Sequence, residues 1–141
     1  MSAYVERSIE PTGNVPRWLF GRVPAGSLAL FAAIDLHAAA RGDGEAGRVA
    51  WPGLERLAKH LGDVSVDTVR RRLLDLERVG AVERRQGTWP DTGRPAPNIY
   101  TLHHDPRDAA TAAARNLETA ERRRQRDAET KAKRAARRGT R

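Results

Sequence analysis

Two runs of arginine are the residues of this chain best suited to binding chemistry. They are Arg70, Arg71 and Arg72, and Arg122, Arg123 and Arg124. A guanidinium group keeps its charge and can bind a phosphate or a base edge through two parallel hydrogen bonds. The formal net charge of +8 favours a polyanionic partner, because cations that neutralise phosphates release condensed counterions. Residues 105–141 carry 12 basic and 6 acidic groups, so most of the excess lies near the C-terminal end.

The residue types that could support catalysis or hold a metal do not occur at the sequence spacings that such sites need. The chain has no cysteine, which excludes disulfides and thiolate zinc sites. No metal-ligand spacing connects the histidines, which are His37, His60, His103 and His104. No Ser/His/Asp set stands on recognisable turns. We therefore expect no enzyme activity, no metal and no cofactor.

Apolar spacing and helix-ending residues predict three short helices. Prolines and glycines bound the first two, over residues 24–42 and 52–62. Ser65 is a natural N-cap for the third, over residues 66–79. Its apolar residues recur on one face, as Val69, Leu73 and Leu76. Two amphipathic helices thus meet at a tight turn around Gly62.

After the third helix, the spacing of apolar residues changes to the alternation that is typical of β-strands. Residues 81–86 and 98–103 are predicted strands of a β-hairpin, joined by a loop over residues 87–97 that is rich in glycine and proline. Residues 48–51 are short and compatible with a strand. The sequence thus predicts a mainly α fold with a small β-hairpin, in the α+β class.

The domain organisation predicted from these patterns has three parts. Residues 1–14 are expected to form a flexible arm, and residues 15–104 a single domain. Residues 105–141 are an Ala/Arg-rich basic tail, either helical or disordered. Because Leu117 is its one large apolar residue, we expect a solvated appendage that does not dock firmly.

Residues 57–80 read L-A-K-H-L-G-D-V-S-V-D-T-V-R-R-R-L-L-D-L-E-R-V-G. This resembles the winged helix-turn-helix family of bacterial repressors and of plasmid and phage replication proteins, whose pattern is L-A-x-x-L-G-V-S-x-x-T-V-x-R-x-L-x-x-L-E-x-x-G. The resemblance extends over about residues 15–102 and implies a DNA-binding domain whose hairpin is the wing. Asp63 is an insertion relative to the pattern, which predicts a longer turn, and Arg72 stands where the family has a small residue.

The resemblance implies that the third helix enters the major groove with its N-terminal end toward the bases. The expected base contacts are Ser65, Asp67, Thr68 and Arg71. The expected contacts to the DNA backbone are Arg70 and Arg72 on the helix, Arg84, Arg85 and Arg94 on the wing, and Arg122, Arg123 and Arg124 in the tail. The alternative is that these arginines decorate solvated faces and that Asp67 offsets the helix dipole. Trp89, in the wing loop, is expected to pack against the domain rather than to insert into DNA, and Tyr100 to lie in the core.

The function expected from this pattern is sequence-specific binding of double-stranded DNA by a transcriptional regulator. One alternative is an origin-binding replication or partition factor of a plasmid or phage. Another is a basic RNA- or ribosome-associated protein that uses the winged domain as a docking scaffold. We expect a cytoplasmic, nucleoid-associated protein without membrane contact, and a homodimer on a two-fold site is a further hypothesis.

Overall fold

The computed structural model describes residues 13–40, 48–50 and 52–139 of the chain. The predicted arm lies outside them except for its last two residues, as does the glycine-rich turn at 42–47. The elements in chain order are a 3-10 turn at Arg17–Leu19, helix α1 at Ala25–Ala40, strand β1 at Arg48–Ala50, helices α2 at Leu54–His60 and α3 at Val66–Arg78, strands β2 at Val82–Thr88 and β3 at Pro95–Leu102, and helix α4 at Pro106–Gly139. The predicted α+β class, mainly helical with a β-hairpin, is confirmed. No helix among the described residues combines the length and apolar character needed to cross a bilayer.

The core forms where the apolar faces of α1, α2 and α3 meet one side of the sheet. The predicted apolar face of α3 is fully buried, and so is Tyr100 of β3, as expected. Fully buried side chains from four elements fill the interior: Leu30, Phe31, Ile34, Leu57, Val69, Leu73, Leu76, Tyr100 and Leu102. Packing on this side leaves the opposite face of α3 open to solvent.

The turn between α2 and α3 absorbs the inserted residue through two left-handed backbone conformations. Gly62 has φ +84° and Asp63 has φ +59°. Aspartate is one of the few side chains that adopts this region readily. The amide of Val64 then donates to the carbonyl of Ala58 at 3.2 Å. The insertion is therefore accommodated in the corner, and α3 still begins directly after Ser65.

The sheet has the strand order β1-β3-β2, with both pairings antiparallel. The hairpin strands extend further toward the tip than the sequence predicts, so the connecting loop is residues 89–94 rather than 87–97. A register irregularity between Arg85 and Gly87 lets Pro95 pair with Thr88. Prolines are tolerated here because, within the part of the chain that the structure describes, β1 pairs with residues 100–102 and no strand pairs with that side of residues 95–99.

Helix α4 packs its first three turns on α3 and β2, so the expectation that the tail does not dock is wrong for that part of it. Ala109 and Ala112 are fully buried. The side-chain amide of Asn116 donates to the carbonyl oxygens of Glu77 and Val82, at 2.8 and 3.0 Å. Small and polar side chains thus provide the docking that large apolar residues provide elsewhere. From residue 118 onward every described residue of α4 is exposed.

Gly80 allows the backbone of α4 to come close to the end of α3. Its φ is +75°, and a Cβ placed on it would lie 1.8 Å from the carbonyl oxygen of Ala109. The backbone of α4 therefore occupies the space that any side chain at this position would need. Docking of α4 and the left-handed turn after α3 both require glycine here.

Candidate nucleic-acid interface

The N-terminal end of α3 presents a row of polar side chains to solvent. Ser65 caps the helix, with its Oγ accepting from the backbone amide of Thr68 at 3.1 Å. The hydroxyls of Ser65 and Thr68 lie 2.9 Å apart. Arg71 Nη2 donates to Thr68 Oγ1 at 3.3 Å. The structure therefore brings three of the four predicted base-contacting residues into one hydrogen-bonded row.

The fourth predicted base contact, Asp67, is paired with a predicted backbone contact, Arg70. Arg70 Nη1 donates to Asp67 Oδ1 at 3.0 Å, and the two side chains are 59% and 84% exposed. An ion pair this exposed contributes little to stability and exchanges readily. Both groups remain available to a ligand.

Arg72 lies against the start of α1. A Cβ built on Gly26 would come within 2.6 Å of Arg72 Nε, so the side chain crosses directly over that glycine. It borders an open groove between α1 and α3, together with Arg71 and Arg78. On the same side, Ser27 Oγ donates to Asp75 Oδ2 at 3.0 Å. Arg72 therefore connects two helices, which explains why a long side chain is accommodated at this position.

The hairpin arginines do not share one environment. Arg85 and Arg94 are exposed, the first on β2 and the second at the tip. Arg84 faces inward and forms an ion pair with Glu77, with 3.2 Å between its Nε and Oε1. Burial raises the pKa of Glu77, and the charge of Arg84 opposes that rise. Of the three, Arg84 is the one held inside the fold.

Trp89 stands at the hairpin tip and is 54% exposed, so the expectation that it packs against the domain is wrong. A tight turn holds it there. Its amide donates to the carbonyl of Arg94 at 2.9 Å, and its carbonyl accepts from Gly93 at 2.8 Å. An indole and a guanidinium therefore sit at the two ends of one exposed turn.

The three consecutive arginines of α4 also lie in different surroundings. Arg122 is ion-paired with Glu118 one turn earlier. Arg123 lies close enough to Glu77 for its charge to lower that carboxyl's pKa, against the larger effect of burial. Arg124 borders a groove between α3 and α4 that also contains the exposed Leu74 and Leu117. The three neighbours therefore point in three directions, as successive helical residues must.

Two polar clusters join residues that are far apart in the chain, and the sequence did not predict either of them. Glu83 accepts from Arg115 Nε at 3.0 Å and from His103 Nε2 at 2.7 Å. The hydrogen bond from Arg115, with help from His103, holds the pKa of Glu83 below its usual range. Asp35, fully buried in α1, lies 3.1 Å from His104 Nε2 and accepts from the amide of Asn14 at 2.7 Å. Hydrogen-bond partners so far apart in the chain leave no sequence signal at helical or strand spacing.

Among the described residues, no group of three or more His, Cys, Asp or Glu side chains is placed to hold a metal ion. Comparison of the chain with protein-family models, with curated proteins and with solved structures found no match. The assignment of the interface therefore rests on the geometry of its own residues.

Proposed function

We propose that this chain is a winged helix-turn-helix protein that binds a short site in double-stranded DNA. In this proposal α3 lies in the major groove with its N-terminal end toward the bases, and the β2–β3 hairpin is the wing beside it. The observation that carries the proposal is the outward row of Ser65, Thr68 and Arg71, with Ser65 and Arg71 exposed and Thr68 half-buried, on a helix whose opposite face is fully buried. A rigid helix with donors and acceptors at its outward end suits the reading of base edges.

Arg71 has the central role in this proposal. Its guanidinium can donate two parallel hydrogen bonds to O6 and N7 of guanine. The bond it gives to Thr68 is long, at 3.3 Å, so releasing the side chain toward a base costs little. Asp67 can accept from cytosine N4, or it can keep Arg70 turned toward a phosphate.

The wing contributes through Arg85 and Arg94, which are its exposed cations. Cations on a hairpin beside the recognition helix suit phosphates or the minor groove. Arg84 is left out of the proposed contact because its guanidinium pairs with the largely buried carboxylate of Glu77.

The proposed biological role is transcriptional regulation. Origin binding in replication or partition uses the same docking, so the genomic location of the bound sites separates the two roles. Sites that overlap promoters support regulation, and sites confined to a replication origin contradict it. A two-fold arrangement of the selected sequence would indicate that two copies bind together.

Selection of bound duplexes from a random pool tests the proposal, with Arg71→Ala and Arg78→Ala as a matched pair. Arg78 lies seven residues after Arg71, on the same face of α3 but about 10 Å farther from its N-terminal end. The wild type should enrich one sequence motif. Arg71→Ala should weaken binding by about 1–3 kcal/mol and relax base choice at one position, whereas Arg78→Ala should leave the motif unchanged.

Two outcomes would refute the proposal. One is the absence of any enriched duplex for the wild type. The other is RNA of equal length competing as well as the selected duplex, which would favour the RNA-associated alternative. Equal effects of the two arginine variants on base choice would remove Arg71 from the reading role.

A further inference from the structure

The exposed part of α4 carries its positive charge unevenly around the helix. With 3.6 residues per turn, four cations fall within about 40° of the direction of Ala109. We call them the basic face, and they are Arg123, Lys131, Arg134 and Arg138. Glu118, Glu121 and Glu129 fall about 120–180° from that direction. Arg122 and Lys133 lie about 120–140° from that direction, on the same outer side as the glutamates. The outer side is therefore close to neutral, whereas the basic face carries an excess of positive charge.

The basic face continues the side of α4 that packs on the domain. Ala109 is buried against Gly80, and Asn116, about 20° from it around the helix, bonds to the backbone of α3 and β2. Beyond the edge of the domain the same side is basic, and Asp127 is the one acidic residue on it in the part of α4 that the structure describes. The cations therefore face whatever lies beside the domain on the packed side of α4.

The direction of α4 is also fixed by its contacts. Ala109 meets Gly80, just beyond the C-terminal end of α3, and Asn116 bonds to the carbonyl of Glu77. Leu117 then shares a groove with Leu74. As α4 proceeds, its neighbours on α3 thus move from residue 80 to residue 74. Over these turns α4 runs back along the C-terminal half of α3, in the direction of the proposed base contacts.

We infer that the basic face of α4 binds the phosphate backbone of the same DNA duplex that α3 reads, on the flank of the site. This inference rests on the proposed function. Phosphates are the anions that such a row of cations complements, and the exposed helix from residue 121 to its end is about 28 Å long. That length is a little less than one turn of B-DNA.

The uneven distribution of charge around α4 favours contact with the same duplex. A second duplex or an RNA approaching α4 from outside would meet the outer side, where Glu118, Glu121 and Glu129 offset the charges of Arg122 and Lys133. That side therefore attracts phosphates less than the basic face does. A duplex held by α3 instead lies on the side where the basic face points. Helix α4 therefore acts as an arm that extends the site along the DNA.

Two triple variants of the full chain test this inference. Lys131→Gln, Arg134→Gln and Arg138→Gln together remove three cations of the basic face. Arg126→Gln, Lys133→Gln and Arg137→Gln together remove the same residue types from positions about 80–120° around the helix. Glutamine keeps a high helix propensity, so circular dichroism should show equal helix content in both.

Binding is measured as a function of salt on a duplex that extends about one helical turn beyond the selected site. The basic-face variant should lower the slope of log K against log salt by about 2 to 3, at about 0.9 per phosphate lost. It should also lose backbone protection on one flank in a hydroxyl-radical footprint. The control variant should change the slope by less than about 1. On a duplex trimmed to the site alone, the difference between the two variants should disappear.

Equal slope changes for the two triple variants would overturn the inference and leave the proposed function standing. The same holds if the difference persists on the trimmed duplex, or if the wild type captures a second labelled duplex or an RNA through the basic face. Failure of the wild type to enrich any duplex would refute the proposed function itself and remove the inference with it.

Discussion

Replacing Gly80 with alanine tests whether close backbone approach fixes α4 to the fold. A Cβ on Gly80 would lie 1.8 Å from the carbonyl oxygen of Ala109 and 2.6 Å from the amide nitrogen of Ala113. Both atoms belong to the backbone of α4, so neither can rotate away. Relief of the overlap requires a withdrawal of about 1 Å or more, and a packed helix moves by that amount only as a body.

The expected cost follows from the contacts that withdrawal breaks. Alanine at φ +75° costs about 1–2 kcal/mol. Exposure of Ala109 and Ala112 costs about 0.8 kcal/mol for each methyl group. The two hydrogen bonds that Asn116 donates contribute about 1 kcal/mol each. Gly80→Ala should therefore lower the free energy of unfolding by about 5 kcal/mol.

Gly62→Ala is the matched control, because Gly62 has φ +84° with no atom within 4 Å of an added Cβ. Gly62→Ala should lower the free energy of unfolding only by the cost of the left-handed backbone, about 1–2 kcal/mol. Urea unfolding gives both free energies, and hydrogen exchange of the α4 amides reports its docking. Equal losses for the two variants, or wild-type protection of residues 109–117 in Gly80→Ala, would refute the reasoning.

Ser65→Ala should lower the free energy of unfolding by about 1 kcal/mol through loss of the α3 cap, whereas Ser65→Asp should keep the cap but weaken DNA binding by repulsion of phosphate. Thermal unfolding and a binding titration measure the two effects. Equal DNA affinity of Ser65→Asp and the wild type would count against docking by this end of α3. Glu83 has a pKa below its ordinary value in the fold, so it stabilises the protein above about pH 4.3 and that contribution disappears as the pH falls through this value toward the folded pKa. Arg115→Gln removes the main cause of the lowered pKa and should flatten the acid dependence of the urea midpoint; an unchanged acid dependence would show that Arg115 does not hold Glu83.

Local signals explain why the positions of α1, α2, α3 and the hairpin could be predicted. The Ser65 cap and the buried face of α3 depend on residues within a few positions of each other, so their spacing is visible in the sequence. The hairpin strands are longer toward the tip than the sequence indicates. Pro95 and Gly87 indicate a loop, but the register irregularity, and a side of β3 on which no described strand pairs with residues 95–99, accommodate both within strands.

The predicted interface depended on the same local reasoning and was incomplete where distant residues meet. The row at the start of α3 could be expected because Ser65, Thr68 and Arg71 lie three residues apart on one face. The inward position of Arg84 could not, because its partner Glu77 belongs to another element. Strand alternation alone does not reveal which side of a short hairpin carries a charged partner.

The sequence by itself determined the helical and strand segments, the cap of α3 and the outward row of polar side chains, because each depends on neighbours close along the chain. Only the tertiary structure decided that α4 docks and which of its cations share the side of the domain. Docking of α4 depends on alanines, on Asn116 and on the missing side chain of Gly80, which give no hydrophobic pattern. Their contribution arises from the fit between two backbones, and that fit exists only once the chain has folded.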